Sequence, residues 1–463
     1  MINRRIVKVL AMFTLMFVML IGYLTYLEVF QSEEIRQNPH NRRQWEYEED
    51  IIRGSVMDRN GIVLAHSEDG GKRVYDYGAL YSHVIGYNSK IYGKTLLENK
   101  YNKYLLGQDL LTEVFSYTGE KKVGYNLTLT IDHDLQRFAD KRMGSYRGAV
   151  VALNPKTGAV RALVSKPDFD PSDENLVKNW TALTESDKFP LLPRATSGLY
   201  APGSTFKIIT AAAAIESGMG ENKYMDYGTV EIGNTNFNNY GKRANGEVDF
   251  AKAFTLSSNV VFCTVGADLG SAKIRQYAEN FGFNNSFDSD VSVAKSRFPT
   301  DSKNDADSAA LAIGQGDMLA TPMQMAMAVS AIANDGVVMK PYLMQNVKNS
   351  LGVSIAETRP QQLYRAAGAE TAAQIRQMMI KTVESGTGTA AKIQNITVAG
   401  KTGTAENELL GKEKNKEHTW FVCFAPAENP EIALAVMLEY SGKSGGELAA
   451  PIARDILMQY FGK

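Results

Sequence analysis

Cysteine is scarce in this chain: two occur in 463 residues, Cys263 and Cys423, each inside an apolar run. That placement fits small buried hydrophobes better than a disulfide or a thiolate metal site. Histidine is nearly as rare, and His40, His66, His83, His133 and His418 are scattered. None falls in a ligand spacing such as His-Glu-x-x-His, so no catalytic zinc is expected, and no other metal or cofactor. An excess of one charge is missing too. With 50 basic and 51 acidic residues the net charge is −1, which offers nucleic acid no footing. Long apolar runs are also few, and the longest has a clear meaning. Residues 9–27 are uncharged and rich in Leu, Met, Val and Phe, long enough to cross a bilayer as a helix.

Arg4, Arg5 and Lys8 precede that run, and Glu28, Gln31, Ser32, Glu33 and Glu34 follow it. The positive-inside rule leaves residues 1–8 as a cytoplasmic tail, residues 9–29 as a transmembrane helix and the remainder outside the membrane. A cleaved signal peptide competes with this reading. It lacks a small-x-small site, and Tyr23, Tyr26, Leu27 and Phe30 are bulky at the exit. A permanent single-pass anchor fits better.

At this length two or three domains are expected. Residues 30–147 are polar and tyrosine-rich, with glycine turns and a hairpin signal at Asn60-Gly61, and read as a small mixed pedestal. Asp132 reads as the N-cap of a helix to about Met143. From residue 148 the pattern changes to buried strands around the turn Asn154-Pro155-Lys156-Thr157-Gly158. Helices follow, one signalled by Thr321-Pro322. Strands return at 396–404, 419–425 and 432–439, and a helix closes the sequence at 448–460. Strands at both ends with helices between them predict an α+β fold. Its central antiparallel sheet would be flanked by helices, and a helical subdomain would be inserted.

Ser204 follows Ala201-Pro202-Gly203 and precedes an alanine-rich apolar run ending at Gly218, so it reads as a helix N-cap. Lys207 lies one turn on. A buried, neutral amine there could take the hydroxyl proton and make Ser204 a nucleophile. Ser-x-x-Lys alone is weak, and Ser292 with Lys295 repeats it in the polar stretch 284–308. Two further motifs follow: Ser257-Ser258-Asn259 at a helix start, and Lys401-Thr402-Gly403-Thr404 on a strand. Each also has a copy elsewhere, at Ser302-Lys303-Asn304 and Lys156-Thr157-Gly158. Only the first set is ordered along the chain with room for a subdomain between its members.

Acyl transfer assigns roles to this set. Ser204 attacks an amide carbonyl, and Lys207, kept neutral by burial and by the cation of Lys401, accepts the proton. Ser257 relays a proton to the leaving amine, and Asn259 holds a substrate amide. Lys401, Thr402 and Thr404 offer a cation and hydroxyls to a terminal carboxylate. The backbone N–H groups of Ser204 and Thr404 form the oxyanion hole. Gly403 lets the substrate backbone lie close to the strand.

Together the three motifs resemble those of penicillin-binding proteins and class A β-lactamases. Three other segments are similar to signatures of the class B penicillin-binding proteins, the peptidoglycan D,D-transpeptidases. They are Arg53-Gly54-Ser55-Val56-Met57-Asp58-Arg59-Asn60-Gly61 with Leu64-Ala65, Thr130-Ile131-Asp132 with Leu135-Gln136, and Thr321-Pro322 with Gln324. The short pedestal resembles the PbpA-type branch, and it is too short for a glycosyltransferase module. The resemblance implies cross-linking of peptidoglycan stem peptides at their D-alanyl-D-alanine end and acylation by β-lactams at Ser204. It also implies a role in division or elongation beside a SEDS-family glycan polymerase and other divisome or elongasome proteins. It further places His418 and Trp420 near the groove, with Trp420 as a substrate-binding residue. A β-lactamase would need a glutamate poised over a water, and no Glu-x-x-x-Asn loop lies between Asn259 and Lys401. A D,D-carboxypeptidase or a non-catalytic sensor or scaffold are the remaining alternatives.

Overall fold

The protein is seen in a computed structural model that describes residues 4–31, 48, 51–68, 71–108, 122–300, 304–405 and 417–463. Helix α1, Arg4–Tyr26, carries the apolar run and buries none of its residues against the protein. Its mean hydropathy and length are those of a membrane span.

A six-stranded sheet forms the pedestal. Strands β1 (Val56–Met57) and β2 (Val63–Ser67) are antiparallel neighbours joined through Asn60-Gly61, with Gly61 at a φ of +88°. Strand β3 (Arg73–Tyr75) adds to β2, and β4 (Asn126–Leu129) runs parallel to β1. Beside the sheet Glu98 is fully buried, bonded to Arg53 Nε at 2.6 Å and Arg73 Nε at 2.7 Å. A buried carboxylate is tolerable only with such partners.

Asp132 caps α2 (His133–Met143), its carboxylate accepting from Leu135 N–H, as expected. Strands β5 (Gly148–Leu153) and β6 (Val160–Lys166) form the first half of the central sheet. After a 3₁₀ turn at Gly203–Phe206 comes α3 (Lys207–Glu216). Small strands β7 (Lys223–Asp226), β8 (Thr229–Ile232), β9 (Thr235–Asn238) and β10 (Gly246–Asp249) pair as β7·β10 and β8·β9. The helical subdomain holds α4 (Phe250–Thr255), α5 (Asn259–Asn280) and α6 (Asp305–Ala312). Helix α7 (Pro322–Ala333) is wholly buried and capped by Thr321, whose hydroxyl accepts from Gln324 N–H.

Two of the strands that follow, β11 (Met344–Lys348) and β12 (Ser354–Glu357), do not join the central sheet. β11 hydrogen-bonds β4, so the pedestal sheet runs β12-β11-β4-β1-β2-β3 and is not made from the 30–147 stretch alone. Helix α8 (Ala369–Ser385) then leads to β13 (Ala399–Ala405), β14 (His418–Ala425) and β15 (Ile432–Leu438), and α9 (Ala450–Tyr460) ends the chain.

The central sheet runs β6-β5-β15-β14-β13, antiparallel throughout, so strands from both ends of the domain meet at β5·β15. Both faces are covered. Val150, Ala152, Phe421 and Cys423 pack with Leu135 of α2 and Ile452 and Ile456 of α9. Val151, Leu153, Trp420 and Val422 pack on the opposite side with Ala211 of α3 and Met325 of α7. Alternation on two buried faces explains why these strands read as continuous apolar runs.

Candidate active site

Three elements converge at the β13 edge of the sheet. The 3₁₀ turn before α3 brings Ser204, the start of α5 brings Ser257 and Asn259, and β13 brings Lys401. Ser204 is not the N-cap the sequence suggests. It sits inside the 3₁₀ turn with no cap bond from its side chain, and Gly203 ahead of it has a φ of +53°. Gly203 is required there, because a Cβ would come 2.7 Å from Thr404 O. Its N–H donates to Gly314 O at 3.0 Å, and Trp420 Nε1 donates to Ala201 O at 3.0 Å. The Ser204 turn is thus held from both sides, and the Lys207 N–H donates to the Ser204 carbonyl.

Lys207 is fully buried. Its Nζ donates to Asn259 Oδ1 at 2.7 Å and to Ser257 O at 2.8 Å, with Ser257 Oγ at 3.4 Å. Lys401 Nζ, also fully buried, donates to Ser257 Oγ at 2.8 Å and to Thr402 O at 3.1 Å. Two amines therefore face one hydroxyl. Burial brings the Lys207 amine down to about 7. Burial, and then the neighbouring Lys207, push Lys401 well below the usual lysine range. A neutral Lys207 spends its two N–H bonds on Asn259 and Ser257 O and keeps a lone pair, which is what a base for the Ser204 proton needs.

Ser257 adopts a φ of +57° and Ser258 caps α5, accepting from Val261 N–H at 3.1 Å. Behind them lies a cluster that no local pattern announced. Asp226 is fully buried and accepts from Ser258 Oγ at 2.7 Å, while Asn239 Oδ1 accepts from Asn259 N–H at 2.8 Å. The signal available was the Asp226-Tyr227-Gly228 sequence, which reads only as a turn. Thr387 was also missed: its hydroxyl is 2.6 Å from that of Thr402, at the rim of the site. Arg194, Tyr200 and Glu439 form a further buried set, Glu439 Oε1 lying 2.7 Å from both Arg194 Nε and Tyr200 Oη.

One expectation needs correction. Trp420 is fully buried behind the Ser204 turn, so it braces that turn and is out of a substrate's reach. Gly403 has an internal reason to be small as well, since a Cβ there would come 2.8 Å from Thr205 Cγ2 and 3.1 Å from Pro202 O. His418 is buried against the rings of Tyr200 and Tyr440, and burial lowers its imidazole to about 4. Of the repeated motifs, Ser292 and Lys295 are exposed and lie outside helix and strand, Lys156 sits in the β5–β6 turn, and Ser302 and Lys303 lie outside the described residues.

A serine and a buried lysine one turn apart, a second lysine on the facing strand, and an antiparallel sheet between helices define a serine acyl-transferase of the penicillin-binding type. Residues 148–458 match the penicillin-binding protein transpeptidase domain, and the chain belongs to that family. Residues 53–127 match the penicillin-binding protein A dimerisation domain. Among individual proteins, the chain is 33% identical to the peptidoglycan D,D-transpeptidase PbpA of Mycolicibacterium smegmatis, over 98% of each chain. It is 34% identical to PbpA of Mycobacterium tuberculosis, over 95% of each. The solved penicillin G acyl-enzyme complex of M. tuberculosis penicillin-binding protein A superposes with a TM-score of 0.83 at 31% identity, covering 89% of this chain and 99% of that one.

Proposed function

We propose that this protein is a peptidoglycan D,D-transpeptidase working through a Ser204 acyl-enzyme. Ser204 Oγ attacks the carbonyl between the two terminal D-alanines of a stem peptide while Lys207 Nζ takes its proton. The oxyanion forms against the N–H groups of Ser204 and Thr404. As the intermediate collapses, the C–N bond breaks and the leaving D-alanine amine is protonated through Ser257. An acceptor amine from a second stem peptide then attacks the ester, and the proton it loses returns to Ser204. Asn259 holds the peptide amide, and the carboxylate end lies with Lys401, Thr402 and Thr404. β-Lactams acylate the same oxygen. Gly403 lets the substrate backbone lie close to β13 while it packs against Thr205, and Trp420 braces the Ser204 turn.

The observation that carries this reading is the buried Lys207 amine, donating to Ser257 and Asn259 one turn after Ser204. Peptide mapping by mass spectrometry after reaction with a labelled penicillin tests it: label on Ser204 is expected, and label on Ser292 or none overturns it.

The finer setting belongs to the same proposal. Residues 1–8 face the cytoplasm, 9–29 span the membrane, 30–147 form the pedestal with the β11–β12 hairpin, and the rest of 148–463 is the extracytoplasmic transpeptidase domain. Arg4, Arg5 and Lys8, in the first turns of α1 and ahead of its apolar run, support that orientation. A SEDS-family glycan polymerase and divisome or elongasome proteins are the proposed partners, checked by cross-linking in the membrane.

A further inference from the structure

Asp226 ends β7 and touches none of the reacting groups, yet two of its side-chain partners, Asn239 and Ser258, lead toward them. Its Oδ1 accepts from Gly228 N–H at 2.9 Å and Asn239 Nδ2 at 2.8 Å. Its Oδ2 accepts from Asn245 Nδ2 at 2.6 Å, Ser258 Oγ at 2.7 Å and Asn239 Nδ2 at 2.9 Å. With its amide group fixed in this way, Asn239 turns Oδ1 to the N–H groups of Asn259 and Val260, at 2.8 and 3.1 Å. Those are orphan donors at the start of α5. Ser258, its hydroxyl proton committed to Asp226, offers its oxygen to Val261 N–H at 3.1 Å. Ser257, immediately before, is held at a φ of +57°, a conformation that a serine keeps only when its neighbours are fixed.

We propose that Asp226 is a positioning residue of the transfer reaction: through Asn239 and Ser258 its carboxylate fixes the pose in which Ser257 and Asn259 receive the Lys207 amine. The inference rests on the reading of Lys207 as the base. Burial alone would raise the Asp226 carboxyl, but the bonds from Asn245, Ser258, Asn239 and Gly228 hold it below the usual range, so it is an anion at neutral pH. Around Lys207 stand Ser257, Asn259 and the Phe262 ring from α5 and its approach, Lys401 from β13, Cys263 from α5 with a thiol pushed up to about 12 by burial, and Asp226 from β7. Of these only Asp226 is negative at neutral pH, and it favours the charged form of the amine.

The test is acylation of the full-length protein by a fluorescent penicillin, followed across pH, for Asp226→Asn, Ser258→Ala and Asn239→Ala. Asp226→Asn keeps the shape but loses the charge and an acceptor. Its rate is expected to fall on the order of a hundredfold from misplaced reacting groups, and its acid limb to move to lower pH. Ser258→Ala and Asn239→Ala should each slow acylation with the acid limb unmoved. Combining either with Asp226→Asn should add little, because they interrupt one route. Acylation of folded Asp226→Asn at the wild-type rate and with the wild-type pH profile overturns the proposal. If that variant does not fold, wild-type rates in both Ser258→Ala and Asn239→Ala overturn it equally. Normal acylation of Lys207→Ala would instead sink the assignment of the base.

Discussion

Lys207 is a lysine whose ordinary chemistry has been removed by its surroundings. With the amine near 7 and its two N–H bonds engaged, deprotonation turns acylation on, so the rate should rise with pH through about 7 and fade below it. A pH profile of second-order acylation checks this, and a flat profile between pH 5 and 8 would contradict it. Lys207→Ala should lose about 10²- to 10⁴-fold, the worth of a positioned base, measured by stopped-flow with a chromogenic β-lactam. Gly203→Ala should cost about 1–3 kcal/mol for a non-glycine residue at its φ of +53° and displace Ser204. Denaturation and penicillin labelling would show the two effects together. The motif residues were legible because their residue types, spacing and order along the chain form a set that chance copies such as Ser292 with Lys295 do not reproduce. Asp226, Asn239 and Thr387 were not, because their meaning lies in contacts between elements that sequence spacing does not encode.

Helix and strand signals were most dependable where burial is one-sided or complete. Thr321-Pro322 announces α7 through chemistry local to four residues, and the structure shows the cap bond to Gln324. Thr321→Ala should lower stability by about 1 kcal/mol with little effect on acylation, read from the urea midpoint beside a labelling assay. The β14 and β15 strands were legible from their apolar runs. The 3₁₀ turn at Ser204 was not. A Pro-Gly-Ser sequence before an apolar helix also fits a capped α-helix, and only the packing of Gly203 on Thr404 and Gly314 decides for the tighter turn. The same limit applies to the β11–β12 hairpin, whose sheet partner β4 lies over two hundred residues earlier.

The molecule as a whole separates its anchor from its core. Because α1 buries nothing against the protein, a chain lacking residues 1–31 should leave the membrane fraction and still be labelled by penicillin at Ser204. Loss of labelling would mean that the helix supports the fold. The remaining parts are less separable, since the sheet of the pedestal takes two strands from within the catalytic stretch. Synthesis runs from the N-terminus, so β4 is made long before β11 exists to cover its edge. Until residues 344–348 arrive, the half-built pedestal carries an unpaired strand edge, the kind of surface that recruits other chains. A nascent chain stalled between 130 and 340 should therefore be a substrate for holding chaperones, and the requirement should end only once residues 432–438 have also arrived to pair β5.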